Sequence, residues 1–131
     1  MQEIEITNPY DDTIVGNVSL TTAKQVEEAF QTADALHRAN RQGLPAYLRI
    51  EILKKAANIM RDKAGELAYL ISAEGGKPLI DARVEVDRAV DGVDTCANEI
   101  GHNTGTEIPM GLTPAGAGKV AFTTREPIGL V

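Results

Sequence analysis

Gly75-Gly76-Lys77-Pro78, running without a break into LIDARVEVDRAVDGVDTCANEI at residues 79–100, is the stretch on which the fold turns. Glycine takes the left-handed conformation that ends a helix and proline blocks its resumption, so residues 75–78 read as a hard stop between two helices. Downstream, Ala82, Val86, Ala89, Val93, Ala97 and Ile100 recur at spacings of 4, 3, 4, 4 and 3, which traces one helical face. About twenty residues at ~1.5 Å each make a rod of ~30 Å. Its polar face carries Asp81, Arg83, Glu85, Asp87, Arg88, Asp91 and Asp94. Basic residues interleave with acidic ones there, which predicts a solvated, ion-paired surface rather than a metal site.

Upstream of the stop, Leu67, Leu70 and Ile71 mark a third helix. A second carries Leu48, Ile52, Leu53, Ala56, Ile59 and Met60 as one apolar stripe, with Pro45 placed in its first turn after Gly43. A first helix opens at Thr22, where Thr22-Ala-Lys-Gln25 fits the capping-box template and Val26, Ala29, Phe30 and Ala33 follow at helical spacing. Before it, Ile4 and Ile6 alternate with polar neighbours, residues 8–12 supply turn chemistry, and residues 14–20 are again extended in character. An antiparallel hairpin follows from that pattern.

After Gly101 the periodicity changes. Short apolar segments at 108–110, 120–122 and 128–131 are separated by Gly/Pro/Thr-rich linkers, and each is expected to be a strand. The expected fold class of the segment is therefore α+β and mostly helical, with an N-terminal β-hairpin, four helices and C-terminal strands. The last residues, Arg125-Glu-Pro-Ile-Gly-Leu-Val131, run into what reads as a developing buried strand. An unpaired apolar strand exposes both ladder groups and side chains, so this ending reads as a truncation.

Bulk properties exclude several function classes. The 131 residues are 43% hydrophobic, in the range of a soluble globular domain. Thirteen basic and nineteen acidic residues leave a formal charge of −6, with no basic patch that would track phosphates, so nucleic acid is not an expected partner. The start, MQEIEITNPYDD, lacks the charged-then-apolar pattern of a signal peptide. No apolar run approaches the ~20 residues needed to cross a bilayer. A single cysteine, Cys96, rules out an internal disulfide framework. A cytoplasmic location, away from membranes, is expected.

Gly116-Ala-Gly-Lys-Val-Ala121 formally matches G-x-G-x-x-A, but a dinucleotide fingerprint follows a strand and opens a helix, whereas this one precedes a strand-like run at 119–124. It reads as a flexible connector. His37 and His102 stand alone, without a second ligand at metal spacing, and are expected at the surface near helix ends. No metal is expected.

Asn8-Pro9-Tyr10, Leu44-Pro-Ala-Tyr-Leu-Arg49, Ile52-Leu-Lys-Lys-Ala-Ala57, Glu74-Gly-Gly-Lys-Pro78, Ala82-Arg-Val-Glu-Val-Asp-Arg88, Glu107-Ile-Pro109 and Arg125-Glu-Pro-Ile-Gly129 together resemble the opening of aldehyde dehydrogenases, in order and spacing along essentially the whole chain. The pattern is similar to the branch with non-phosphorylating glyceraldehyde-3-phosphate, lactaldehyde and phosphonoacetaldehyde dehydrogenases. One departure is Asp12-Thr13, where the family's turn often has Asp-Gly.

The resemblance implies an α/β subunit with a Rossmann-like coenzyme domain, a catalytic domain and a β-strand oligomerisation arm. Residues 1–131 would be the N-terminal part of the coenzyme domain, strands near 106–125 would belong to the arm, and the catalytic domain would be absent. Family members oxidise an aldehyde through a cysteine thiohemiacetal, pass hydride to NAD or NADP, and hydrolyse the thioester. The asparagine, glutamate and cysteine of that chemistry lie beyond residue 131, so this chain alone is expected to be inactive and to bind no coenzyme. The parent is expected to be a homo-oligomer, dimer or tetramer.

Two residues acquire functional readings from the resemblance. The family's nucleophile sits in Gly-Gln-x-Cys, whereas Cys96 lies in Asp94-Thr-Cys-Ala97, so a helix-packing thiol is expected instead. Arg88 matches a Glu-x-x-Arg position whose arginine, in the branch handling anionic aldehydes, lines the substrate funnel and grips phosphate or phosphonate. The competing reading is an intrahelical pair with Glu85 or Asp91, three residues to either side. For the chain as a whole, the alternative to part of an enzyme is a non-catalytic helical module that self-associates through exposed strands.

Overall fold

The computed structural model describes residues 2–41 and 43–131. Alternation at the start produces β1 (Glu3–Thr7) and β2 (Ile14–Ser19), an antiparallel hairpin with Ile4 opposite Val18 and Ile6 opposite Gly16. Side chains build its turn: Asn8 Oδ1 accepts from the Tyr10 N–H at 3.0 Å, and Asp11 Oδ1 accepts from the Thr13 N–H at 3.1 Å and the Thr13 hydroxyl at 2.7 Å. The left-handed position of the turn falls on Asp12, at φ 57, a residue type that tolerates that conformation. Thr13 is therefore not required to take a positive φ, and its hydroxyl donates to Asp11.

Helix α1 (Ala23–Ala39) starts at the expected capping box. The Gln25 N–H donates to Thr22 Oγ1 at 3.3 Å and the Thr22 N–H donates to Gln25 Oε1 at 2.9 Å. Its apolar face does not enter the core, because none of its residues is buried. Helices α2 (Ala46–Asp62), α3 (Ala64–Gly75) and α4 (Leu79–Glu99) form the bundle, with α4 packed against both of the others. Pro45 caps α2 from just outside rather than lying in its first turn.

The core is built of small residues: Ala57, Ala68 and Ala82 are fully buried, Val86 and Val90 nearly so, and Met60, Ala64, Leu67, Ile71 and Val93 pack around them. Small side chains allow close approach of helix axes. That choice rotates two stripes relative to expectation. On α2, Ile52 and Ile59 are about half exposed and Ala57 faces inward. On α4, Val90 is buried in place of the exposed Ala89, so the buried line runs through 82, 86, 90 and 97.

Gly76 caps α3 at φ 65, as the glycine stop requires. A Cβ there would lie 2.8 Å from Pro9 Cγ, so the hairpin turn rests directly on the end of α3. Beyond α4, a 3-10 turn (Ile100–His102) leads into β3 (Glu107–Ile108), which pairs antiparallel with β4 (Ala121–Phe122). The Thr123 N–H extends this ladder to Thr106 O at 2.9 Å. A Cβ on Gly105 would strike the Thr123 carbonyl oxygen at 1.6 Å. The ribbon is shorter than the segments 108–110 and 120–122 predict, and the third expected strand does not form: residues 128–131 carry no ladder pairing. An extended run needs a neighbouring strand to satisfy its backbone, and among the described residues none lies beside it. Leu130 instead meets the apolar face of α1, beside Val26, Ala29, Phe30 and Ala33.

Candidate functional site

The polar face of α4 opens onto a concavity of about 460 Å³ lined by Lys77, Asp81, Val84, Glu85 and Arg88. Positions 81, 84, 85 and 88 stack on one helical stripe, and Lys77 stands one turn ahead, outside Pro78, the residue that caps the helix. Lys77 Nζ pairs with Glu85 Oε2, both side chains about half exposed. Arg88 has no ion-pair partner within 4.0 Å among the described residues. The expected pairing of Arg88 with Glu85 or Asp91 is therefore absent: Glu85 is engaged by Lys77, and Asp91 lines a separate hollow with Arg61 and Asp87. Among the described residues, α4 is ion-paired at Glu85, Asp94 and Glu99, and the partners Lys77, Arg61 and His102 all come from outside the helix.

Besides standing in the helix stop, Lys77 makes an ion pair with Glu85 that local helical spacing does not predict. The signal available was its position four residues before Asp81 and eight before Glu85, two turns along the same stripe.

Cys96 is exposed, which corrects the expectation of a helix-packing thiol; the buried neighbour is Ala97. It lines a shallow hollow with Glu99, Ile100, His102, Asn103 and Arg125. His102 faces Glu99 at 3.5 Å, and Arg125 Nε donates to the Thr104 carbonyl oxygen at 3.2 Å. No hydrogen bond joins Cys96 to a base among the described residues, so nothing here activates the thiol as a nucleophile. His37, in the last turn of α1, sits beside Gly129 of the terminal segment.

Residues 111–118 form a run of turns that leads into β4 and not into a helix. A dinucleotide pyrophosphate is held where a glycine-rich turn opens a helix after a strand. No segment of that kind occurs among the described residues. Among the described residues no group of three or more His, Cys, Asp or Glu side chains is placed to hold a metal ion, and no helix is long and apolar enough to cross a membrane.

Residues 1–131 match the sequence model of the aldehyde dehydrogenase family. The chain is 38% identical over 129 residues to aspartate-semialdehyde dehydrogenase 1 of Pseudomonas canavaninivorans, which takes in 98% of this chain and 27% of that protein. The crystal structure of aldehyde dehydrogenase 21 from Physcomitrella patens, in complex with the reaction product succinate, superposes with a TM-score of 0.82 at 29% identity, covering 89% of this chain and 24% of that one. Glyceraldehyde-3-phosphate dehydrogenase GapN from Methanocaldococcus jannaschii, complexed with NADP, superposes with a TM-score of 0.75 at 27% identity, covering 81% and 23%. GapN represents the branch that the motifs resemble. The chain spans about a quarter of the length of the proteins it matches.

Proposed function

This chain belongs to the aldehyde dehydrogenase family, and from that membership we propose that it supplies the N-terminal, mostly helical part of an NAD- or NADP-dependent enzyme that oxidises a small anionic aldehyde to its acid. Arg88 is the residue of this chain that meets the substrate. The observation that carries the proposal is its guanidinium, which lines an open concavity and is left without an ion-pair partner among the described residues. A planar fork of donors suits a carboxylate or phosphate, which it meets with two parallel hydrogen bonds. Holding the far end of the substrate orients the aldehyde carbon for attack, and the coenzyme accepts the hydride that this carbon gives up. Aspartate semialdehyde, succinate and glyceraldehyde 3-phosphate, the compounds named for the three similar proteins, all carry a carboxylate or a phosphate, which supports an anionic substrate.

The thiolate, the oxyanion donors and the base for hydrolysis come from outside residues 1–131, so the chain by itself is inactive. The β3–β4 ribbon, within the stretch 106–125, belongs to an arm through which a cytoplasmic homo-oligomer, dimer or tetramer, assembles.

The test is an enzyme containing residues 1–131, assayed with an aldehyde bearing a terminal carboxylate and with the methyl ester of the same compound. A charge-assisted hydrogen-bonded contact is worth about 1.5–3 kcal/mol, so kcat/KM for the acid should exceed that for the ester by about tenfold to a hundredfold. Equal values would remove the anionic-substrate assignment. Reduction of NAD or NADP by the 131-residue chain alone, with any aldehyde, would overturn its placement as a non-catalytic part.

A second function is favoured by the exposure of Ile108 (43%) and Phe122 (69%) on the ribbon: a helical module that self-associates through these strands. Sedimentation of the chain alone separates the two, since a module gives one concentration-dependent oligomer and a part lacking its packing partners gives monomer or polydisperse aggregate.

A further inference from the structure

Arg88 is useful to an anionic substrate only while its own helix leaves it unneutralised. On an α-helix the competitors stand at positions three and four residues away. The positions four away are Val84 and Gly92, which carry no charge, and the positions three away are Glu85 and Asp91. Asp91 opens toward the hollow that holds Arg61. Glu85 lines the same concavity as Arg88 and is its one acidic neighbour there at pairing distance along the helix; Asp81 lies two turns back. What occupies the Glu85 carboxylate is Lys77, reaching back along the stripe from before the N-terminus of α4.

From this arrangement we infer that Lys77 is a positioning residue that holds Glu85 away from Arg88 and so keeps the Arg88 guanidinium free for the substrate's anionic group. The inference deepens the proposed function and rests on Arg88 as the anion grip. It also accounts for a lysine placed against the helix stop: Pro78 fixes the chain's entry into α4, which aims the Lys77 side chain down the 81–85–88 stripe. Lys77 acts through Glu85. Losing the lysine releases a carboxylate within reach of Arg88, one helical turn away.

The closing experiment separates the positioning role from the substrate assignment. The first arm uses the 131-residue chain labelled with 15N and follows the Arg88 Nε–Hε resonance, with the amide spectrum as the check on folding. In Lys77→Met the Arg88 resonance is expected to shift and its exchange with water to slow, as Glu85 pairs with it. In Lys77→Met/Glu85→Gln it should return to its wild-type position, and in Lys77→Arg, which preserves the pair, it should not move. An Arg88 resonance unchanged in Lys77→Met, or one still shifted in the double variant, overturns the positioning role. If Lys77→Met does not fold, Glu85→Gln with Lys77 intact serves instead: it should leave the Arg88 resonance in place, and a shift there overturns the role.

The second arm uses the enzyme containing this segment. Lys77→Met should raise KM for a carboxylated aldehyde about two- to fivefold with kcat nearly unchanged, leave the methyl ester unaffected, and be rescued by Glu85→Gln. If the resonance arm behaves as expected while KM stays constant, Lys77 does hold Glu85 but Arg88 does not grip the substrate. The substrate assignment then fails separately from the positioning role.

Discussion

Val86→Ala and Val84→Ala form a matched pair that tests how α4 is seated. The two valines lie two residues apart on one helix, with 3% and 44% of their surface exposed. Each substitution removes the same two methyl groups, worth ~1.6 kcal/mol when fully buried at ~0.8 kcal/mol each. At Val86 the alanine-rich surroundings cannot collapse far, and a residual hole of roughly 40 Å³ at ~24 cal/mol per Å³ adds about 1 kcal/mol. Both variants gain about 0.5 kcal/mol from alanine's higher helix propensity. The net loss is about 2 kcal/mol for Val86→Ala and below about 0.5 kcal/mol for Val84→Ala. At roughly 4 °C per kcal/mol for a chain of this size, Tm should fall by about 8 °C in the first and about 2 °C or less in the second. Thermal melts followed by far-UV circular dichroism read the difference directly. Equal shifts, or a larger one at Val84, would refute the packing of α4 through Val86 and Val90.

Gly76→Ala carries two penalties, a left-handed backbone with a Cβ and a clash with Pro9 Cγ. It should cost about 1–2 kcal/mol in urea unfolding; a neutral result would mean that the hairpin turn does not rest on α3. Asp11 is held below the ordinary carboxylate range, first by the Thr13 hydroxyl and then by the Thr13 N–H. A carboxyl whose pKa is depressed by folding stabilises the fold above its unfolded pKa and loses that contribution as pH falls through the lower folded value. A 13C carboxyl titration should therefore place Asp11 below its value in the urea-unfolded chain. Thr13→Val, which removes the larger cause, should move the folded value part of the way back up, and no movement would contradict the hydrogen-bond origin.

The elements that could be read from sequence are those fixed by local chemistry. The Thr22–Gln25 capping box, the Gly76 stop and the turn at residues 8–12 depend on side chains within three or four residues of the backbone they satisfy, and all form as the sequence indicates. The register of the bundle was less legible. Apolar periodicity treats isoleucine as a better core residue than alanine, yet close helix approach here selects Ala57 over Ile52 and Ile59, and rotates α4 so that Val90 displaces Ala89. The same limit applies to α1, whose stripe at Val26, Ala29, Phe30 and Ala33 announces an apolar face without saying what meets it; Leu130 does so in part. The segment 128–131 has strand-like residues but no strand beside it, and β-structure is a property of the pair. At the candidate site, Arg88 is proposed from the motif of its helix, and it lines the concavity without an ion-pair partner among the described residues. The pairing of Lys77 was not legible, because its partner Glu85 stands eight residues away, beyond the three-to-four-residue window in which helical pairs are sought.

The measurement that bears most directly on the central claim is the steady-state kinetics of Arg88→Ala in an enzyme containing this segment, with a carboxylated aldehyde and its methyl ester side by side. Loss of a bidentate, charge-assisted contact should lower kcat/KM for the acid by about tenfold to a hundredfold while leaving the ester within about twofold. Equal losses on both substrates, or none on the acid, would contradict the assignment of Arg88 as the residue that selects an anionic aldehyde.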